Sequence, residues 1–274
     1  MEVFVYGPQR LRRLVAIAVC AIAVCASGLA LPQSVAAQSE KAKPRKKTHP
    51  LVPALQHARA AGKVVEGLTD FEAVFNKREV VRGRLQPPQS MQIKLRRKPF
   101  SVYLNFINPS KGREVIYVSG RNRGNLLAHE TGLKSIVGTV SLLPTSSRAM
   151  EESKYPITQI GMRTMLQTVI GQWERESKYG EIKVQYYPNA KLGNTQCRVI
   201  ESSHPRPRKQ FPYHMTRLYI DKKTGLPVRV EQYGFPRRAG EKAPIMEEYT
   251  YSGIKTNVGL KDIDFDTRNP KYRY

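Results

Sequence analysis

Between Met91 and Glu130 apolar and polar residues alternate in short runs. Met91, Ile93 and Leu95 alternate with Gln92, Lys94 and Arg96, and Phe100, Val102, Leu104 and Phe106 alternate with Ser101, Tyr103 and Asn105. A period of two residues puts one set on each face of a strand, so both runs predict half-buried β-strands. The segments 112–120 and 125–130 continue the stretch, and the connections Asn108–Gly112 and Arg121–Gly124 carry the glycine expected of short antiparallel links. The whole predicts a curved antiparallel meander with one apolar face, which another element must cover.

Upstream, Leu51, Leu55 and Ala58 share one side of a helix over 51–61, with Gly62 as its stop. Thr69 to Arg84 then predicts a strand with Phe71, Ala73 and Phe75 in phase, ended by Pro87-Pro88. After Glu130 the alternation weakens: 133–143 is apolar, 144–147 closes it, and 147–156 predicts a short helix. Met162, Met165, Leu166, Val169, Ile170 and Trp173 then fall on one helical stripe, opposite Arg163, Thr164, Gln167, Gln172 and Glu174, with Gly180 as the stop. Such a stripe must lie on an apolar surface, and the meander offers one. Five further strands follow at 181–187, 195–203, 213–221, 226–234 and 245–257, with a tight hairpin at Asp221–Gly225. The fold class is therefore α+β, mainly antiparallel β: a curved, unclosed half-barrel sheet covered by an amphipathic helix, in a single domain over 51–274.

The N-terminus reads differently. Arg10, Arg12 and Arg13 precede an uncharged run from Leu14, and Val35-Ala36-Ala37 offers a small-residue cleavage site. Residues 1–37 thus predict a signal peptide, and the competing reading is an uncleaved membrane anchor. Residues 38–50 follow as a basic, disordered leader. The expected location is outside the cytoplasm, periplasmic or extracellular, after cleavage near Ala37. Cleavage removes Cys20 and Cys25, leaving Cys197, in a strand-like context, as a buried apolar residue with no disulfide partner. Removing three of the 46 basic residues and one of the 22 acidic ones leaves 43 against 21. In an exported chain that excess points to anionic envelope surfaces rather than nucleic acid.

The order of elements, with Lys-Pro-Phe-Ser-Val-Tyr in the meander and Asp-Lys-Lys-Thr-Gly-Leu-Pro-Val-Arg-Val-Glu in the hairpin, resembles the LolA/LolB-like lipoprotein-carrier superfamily. A closer resemblance is to a secreted family of unknown function, the one numbered 1571. It is carried by Pro99 to Tyr103, Lys111 to Val118, Leu127-Ala128-His129, Tyr155 to Thr158, Tyr219-Ile220-Asp221, Thr224 to Val228 and Asp264-Phe265-Asp266. The carrier resemblance implies a hollow, covered by helices, that takes acyl chains. The closer family implies no activity.

The sequence holds no His-Glu-x-x-His, Gly-x-Ser-x-Gly, phosphate loop or Cys-x-x-Cys, and its five histidines lack metal-ligand spacing. His129, beside Glu130 at a strand end, is the one residue around which an enzymatic site could converge. Arg113 and Glu114 read as ordinary cross-strand partners rather than a buried pair. The helix stripe either seals the sheet as core or lines a cavity as a lid. The lid reading places Val102, Leu104, Phe106 and Tyr117 opposite Met165, Leu166, Val169 and Trp173. The expected function is binding without catalysis, cofactor or metal: an apolar ligand, lipid or a lipidated protein segment, sits in the hollow. Basic loops at Arg206, Arg208, Arg237 and Arg238 steer toward anionic head groups. The alternative is an envelope interaction or sensor module with a filled core and a basic binding surface.

Overall fold

A computed structural model describes residues 48–132, 138–238 and 240–274. The expected signal segment with its cleavage site, Cys20, Cys25 and most of the basic leader lie outside the described residues, as do 133–137. No helix among the described residues is long and apolar enough to cross a membrane.

The first helix, α1 (Leu51–Glu66), buries Leu51, Ala54, Leu55, Ala58, Ala61 and Val65 along one side. It runs one turn past the expected stop. Gly62 does not end it, because Val65 extends the buried stripe, and Gly67 forms the C-cap. A Cβ at Gly62 would stand 3.7 Å from the Leu166 side chain, an ordinary van der Waals contact, so α1 here meets the helix that carries Leu166.

The strands are β1 (Asp70–Val81), β2 (Arg84–Leu85), β3 (Gln89–Arg96), β4 (Ser101–Asn108), β5 (Glu114–Val118), β6 (Leu126–His129) and β7 (Thr139–Leu142). Helix α2 (Met162–Glu176) follows, then β8 (Lys183–Leu192), β9 (Thr195–Ser203), β10 (Met215–Asp221), β11 (Pro227–Tyr233) and β12 (Ile245–Thr256). Among the described residues they form one curled, unclosed 12-stranded sheet in the order β7-β6-β5-β4-β3-β1-β12-β11-β10-β9-β8, with β2 paired to β1. Every neighbouring pair is antiparallel. The predicted meander is β3 to β6, and β1 with β12 is the seam that joins it to the second set of strands. The hairpin between β10 and β11 closes with Gly225 at φ 73°.

Helix α2 covers less of the meander than its stripe suggests. Met162 packs with the Phe71, Leu95 and Val102 cluster, but Leu166, Val169 and Trp173 pack against α1 and against Ile200, Leu218 and Val230 of the second strand set. The stripe is also wider than its apolar residues. Gln172, expected on the polar side, is 3% exposed and donates to Thr216 Oγ1 at 3.1 Å, while Gln232 donates to its carbonyl at 2.7 Å. Trp173 Nε1 donates to Ser202 Oγ at 2.9 Å. These buried polar bonds anchor the helix over β9 to β11.

What crosses the meander instead is an irregular strap, 144–161. The expected helix over 147–156 does not form; turns take its place, with a single 3-10 turn at Ile157–Gln159. Side chains of β1 engage the backbone groups a helix would have used. Lys154 N–H donates to Glu79 Oε2 at 3.1 Å, and Lys77 Nζ donates to the Glu152 carbonyl at 3.1 Å. The outer face of the meander is covered too: Tyr103, Ile116 and Val118 pack with Phe265, and Tyr272 stacks on Tyr103 at 4.0 Å. The polar phase assigned to Tyr103 is thus the floor of a second, smaller core.

Leu218 is fully buried between the sheet and the helices. Leu218→Ala should destabilise the protein by about 2–5 kcal/mol, lowering the urea midpoint without changing the slope. The buried Trp173 is the only tryptophan, so its emission follows the transition directly.

Candidate ligand cavity

The strap and α2 do not fill the concave side of the sheet. Between them lies a cavity of about 430 Å³, within the range of roughly 300–1,000 Å³ usual for small-molecule sites. Its apolar walls come from opposite directions: Phe75, Met91, Leu104 and Phe106 on β1, β3 and β4, and Leu126 and Val140 on β6 and β7. Val230 of β11 and Tyr251 of β12 extend the sheet wall, and Met165 and Val169 of α2, with Pro156, Ile157 and Ile160 of the strap, complete the lining. Phe75 and Tyr251 stack at 4.7 Å, which fixes two of the aromatic faces on the wall.

One end of the cavity is ionic. On β1 the inward phase of Phe71, Ala73 and Phe75 runs on into Lys77 and Glu79, and on β12 Glu247 shares the phase of Tyr249 and Tyr251. Glu79 and Glu247 are 3% and 1% exposed, so each needs partners. Tyr249 bridges them, its hydroxyl oxygen 2.6 Å from Glu79 and 2.8 Å from Glu247, with its one proton to donate to either. Lys77 Nζ lies 2.9 Å from Glu79, Lys154 Nζ lies 2.9 Å from Glu247, and Tyr213 also donates to Glu247. Arg113 forks between Glu130 and Glu152, both at 2.9 Å, with its guanidinium over the Phe106 ring. The strap is therefore pinned to both halves of the sheet by ion pairs.

The network shifts its members upward in pKa. Burial lowers the Lys154 value, but Glu247 and the Tyr213 hydroxyl outweigh it and hold the ammonium above the ordinary lysine range. Burial likewise lowers the Arg113 value, while Glu130 and then Glu152 more than restore it. Burial, then the Glu247 carboxylate, pushes the Tyr213 and Tyr249 hydroxyls well above the usual phenol range.

Of the residues expected to line a cavity, Leu104, Phe106, Met165 and Val169 stand on its wall. Val102 lies in the closed core beside Leu95, and Tyr117 lies beside Phe100 with ring centroids 6.2 Å apart. Leu166 and Trp173 turn toward α1 and the second strand set. A helical stripe spans about 100°, enough for one edge to meet the hollow and the other a neighbouring helix. Arg206, Arg208, Arg237 and Arg238 are exposed on the β9–β10 and β11–β12 loops and do not line the cavity. The loops meet through His214 and Phe235, and Arg208 is already paired bidentately with Glu181 at 2.7 and 2.8 Å.

Ala128 and Glu130 line the cavity, so His129 between them faces the outer side, where its ring lies 5.7 Å from that of Tyr274. Arg113 and Glu114 diverge in the same way. Arg113 turns inward to Glu130 and Glu152, and Glu114 turns outward to accept from Tyr103 at 2.9 Å, so they are not a set. Cys197 is buried, and burial raises its thiol pKa. No group of three or more His, Cys, Asp or Glu among the described residues could hold a metal ion.

Lys154, Tyr213 and Tyr249 all hold their protons more tightly folded than unfolded. Above about pH 10 the unfolded chain gives up protons that the folded one keeps, so stability falls as pH rises. Tyr219, pushed up to about 12 by burial and then by Glu231, acts in the same direction. Urea midpoints should be flat from neutrality to the onset of phenol ionisation and then decline. Glu247→Gln, which removes the charge Lys154 answers, should make that decline shallower.

A search of curated proteins found no match. Among solved structures, the chain is similar to a DUF1329 family protein from Desulfovibrio piger at 14% identity, covering 80% of this chain and 98% of that one, with a TM-score of 0.37. It is similar to the lipoprotein LppX of Mycobacterium tuberculosis at 16% identity, with 78% and 100% covered and a TM-score of 0.43. A LolA superfamily protein from Nitrosomonas europaea matches at 13% identity, with 78% and 97% covered and a TM-score of 0.31. The family model described as protein of unknown function, DUF1571, matches residues 68–274, from the start of β1 through the strands, the strap and the cavity walls, and the chain belongs to that family.

Proposed function

We propose that this protein is a binding protein, not an enzyme, that takes an apolar chain of a lipid or a lipidated protein segment into its hollow. The observation that carries this is the open, apolar-walled cavity of about 430 Å³ between sheet, strap and α2. Its walls offer contact surface, while Lys77, Glu79, Lys154 and Glu247 are committed to one another. The N-terminal arginines, uncharged run and small-residue site support a place outside the cytoplasm. Each buried methylene contributes about 0.8 kcal/mol, so affinity should rise about fourfold per added CH₂ until the cavity is full.

The protein purified from its own envelope fraction without detergent, examined by native mass spectrometry and lipid extraction, should carry an acyl species of defined mass. The emptied protein should take up a fluorescent acyl probe. Val140→Trp, which places a ring into the cavity from the half-buried edge strand, should abolish uptake while leaving the Trp173 environment and the circular dichroism intact. Leu104→Asp should do the same from the floor, at a cost in stability. Full uptake by a folded Val140→Trp protein would sink this function.

A further inference from the structure

The charges at the cavity run against those of the chain. The chain carries 46 Lys and Arg against 22 Asp and Glu, yet the cavity is lined by three cations and five carboxylates. Lys154, reaching Glu247 from outside that lining, still leaves the carboxylates in excess.

Two of the three lining cations, Lys77 and Arg113, are already paired. The Lys77 ammonium donates to Glu79 at 2.9 Å, to Ser153 Oγ at 2.7 Å and to the Glu152 carbonyl at 3.1 Å, which uses all its protons. Arg113 gives Nε to Glu130 and Nη1 to Glu152. Arg148, exposed on the strap, is the one lining cation among the described residues without a carboxylate partner. Acceptors, by contrast, remain in excess. Glu130 and Glu152 meet Arg113 through Oε2, leaving Oε1 of each open, and Glu151, exposed on the strap three residues from Arg148, makes no ion pair among the described residues. An anionic head group entering here would find Arg148 alone unpaired, and to gain a second cation would have to displace a carboxylate from Lys77 or Arg113 and leave it unpaired. A positively charged donor would meet open acceptors.

Building on the reading of the hollow as an apolar-ligand site, we propose that it selects an amphiphile whose polar end is a positively charged hydrogen-bond donor, an alkylammonium, over one ending in a carboxylate, sulfate or phosphate. The chain lies along Leu104, Phe106 and Met165, and the head sits at the strap among Glu130, Glu151 and Glu152.

The test is competition by decylamine, decanol and decanoate, below their micellar concentrations, against an uncharged fluorescent acyl probe on the whole protein. At neutral pH and physiological salt, decylamine should compete at a concentration about tenfold lower than decanoate, as one charge-assisted hydrogen bond implies, with decanol between them. The net positive charge of the protein attracts decanoate at long range, so the amine preference should grow as salt screens that field. The double variant Glu151→Gln, Glu152→Gln should bring the two ligands close together without altering competition by decanol. Equal or tighter binding of decanoate overturns the proposal, and so does a preference for amine that the double variant leaves intact. If decanol too fails to displace the probe, the hollow is not an apolar-ligand site, and the broader function falls together with the head-group preference.

Discussion

A sheet that curls without closing has a concave apolar face, and the two helices among the described residues do not cover it. α1 and α2 pack on each other and lie over β9 to β11, held there by Trp173, Gln172 and their buried partners. The concave face of the meander, the other half, receives the strap and, from the described helices, little beyond Val65 and Met162. An irregular segment cannot pack a face as densely as a helix, because its backbone polar groups must find partners one by one. Here those partners are Lys77 and Glu79, which turn the strap's amides and carbonyls toward the strands and keep its apolar side chains at the rim of the hollow. The cavity is thus the remainder left by a mismatch between the width of the sheet and the reach of its cover.

The strands of the meander were legible because each lies half-buried, and a half-buried strand writes its period directly into the sequence. The helix stripe was legible for the same reason, but not its destination, since six apolar positions do not say which of two apolar surfaces they meet. The strap was illegible. Its conformation is set by Glu79 and Glu247, which lie 75 and 93 residues from Lys154 in sequence, and no local pattern records such contacts. A signal for the ionic end was nonetheless present. Lys77, Glu79 and Glu247 fall in phase with the inward aromatic residues of their strands, and a charge on the buried phase of a strand announces a compensated site. Tyr103 misled in the opposite sense: it alternates correctly, and its face is buried only because a segment more than a hundred residues later folds over it.

Electrostatics acts here on two scales. Over the surface, exposed basic side chains dominate and give the molecule a long-range positive field. Within the cavity, short contacts of 2.6–2.9 Å pair nearly every charge, and the residual sign reverses. The first governs what approaches the protein, and the second governs what can remain inside it. Arg208 shows that the outer field is itself partly neutralised, since Glu181 holds its guanidinium in a bidentate pair.

An open sheet also ends in two strands with unpaired backbone groups, here β7 and β8. β7 has only four residues, too few to template a stable ladder. β8 has ten, but Pro188 interrupts its row of donors, the register shifts between Tyr187 and Ala190, and Lys183 and Lys191 place charge along it. A second chain offered to either edge finds no long, flat run of donors and acceptors. The same openness that creates the hollow leaves two strand margins exposed to edge-to-edge pairing, and the kinked, lysine-bearing margin of β8 opposes it.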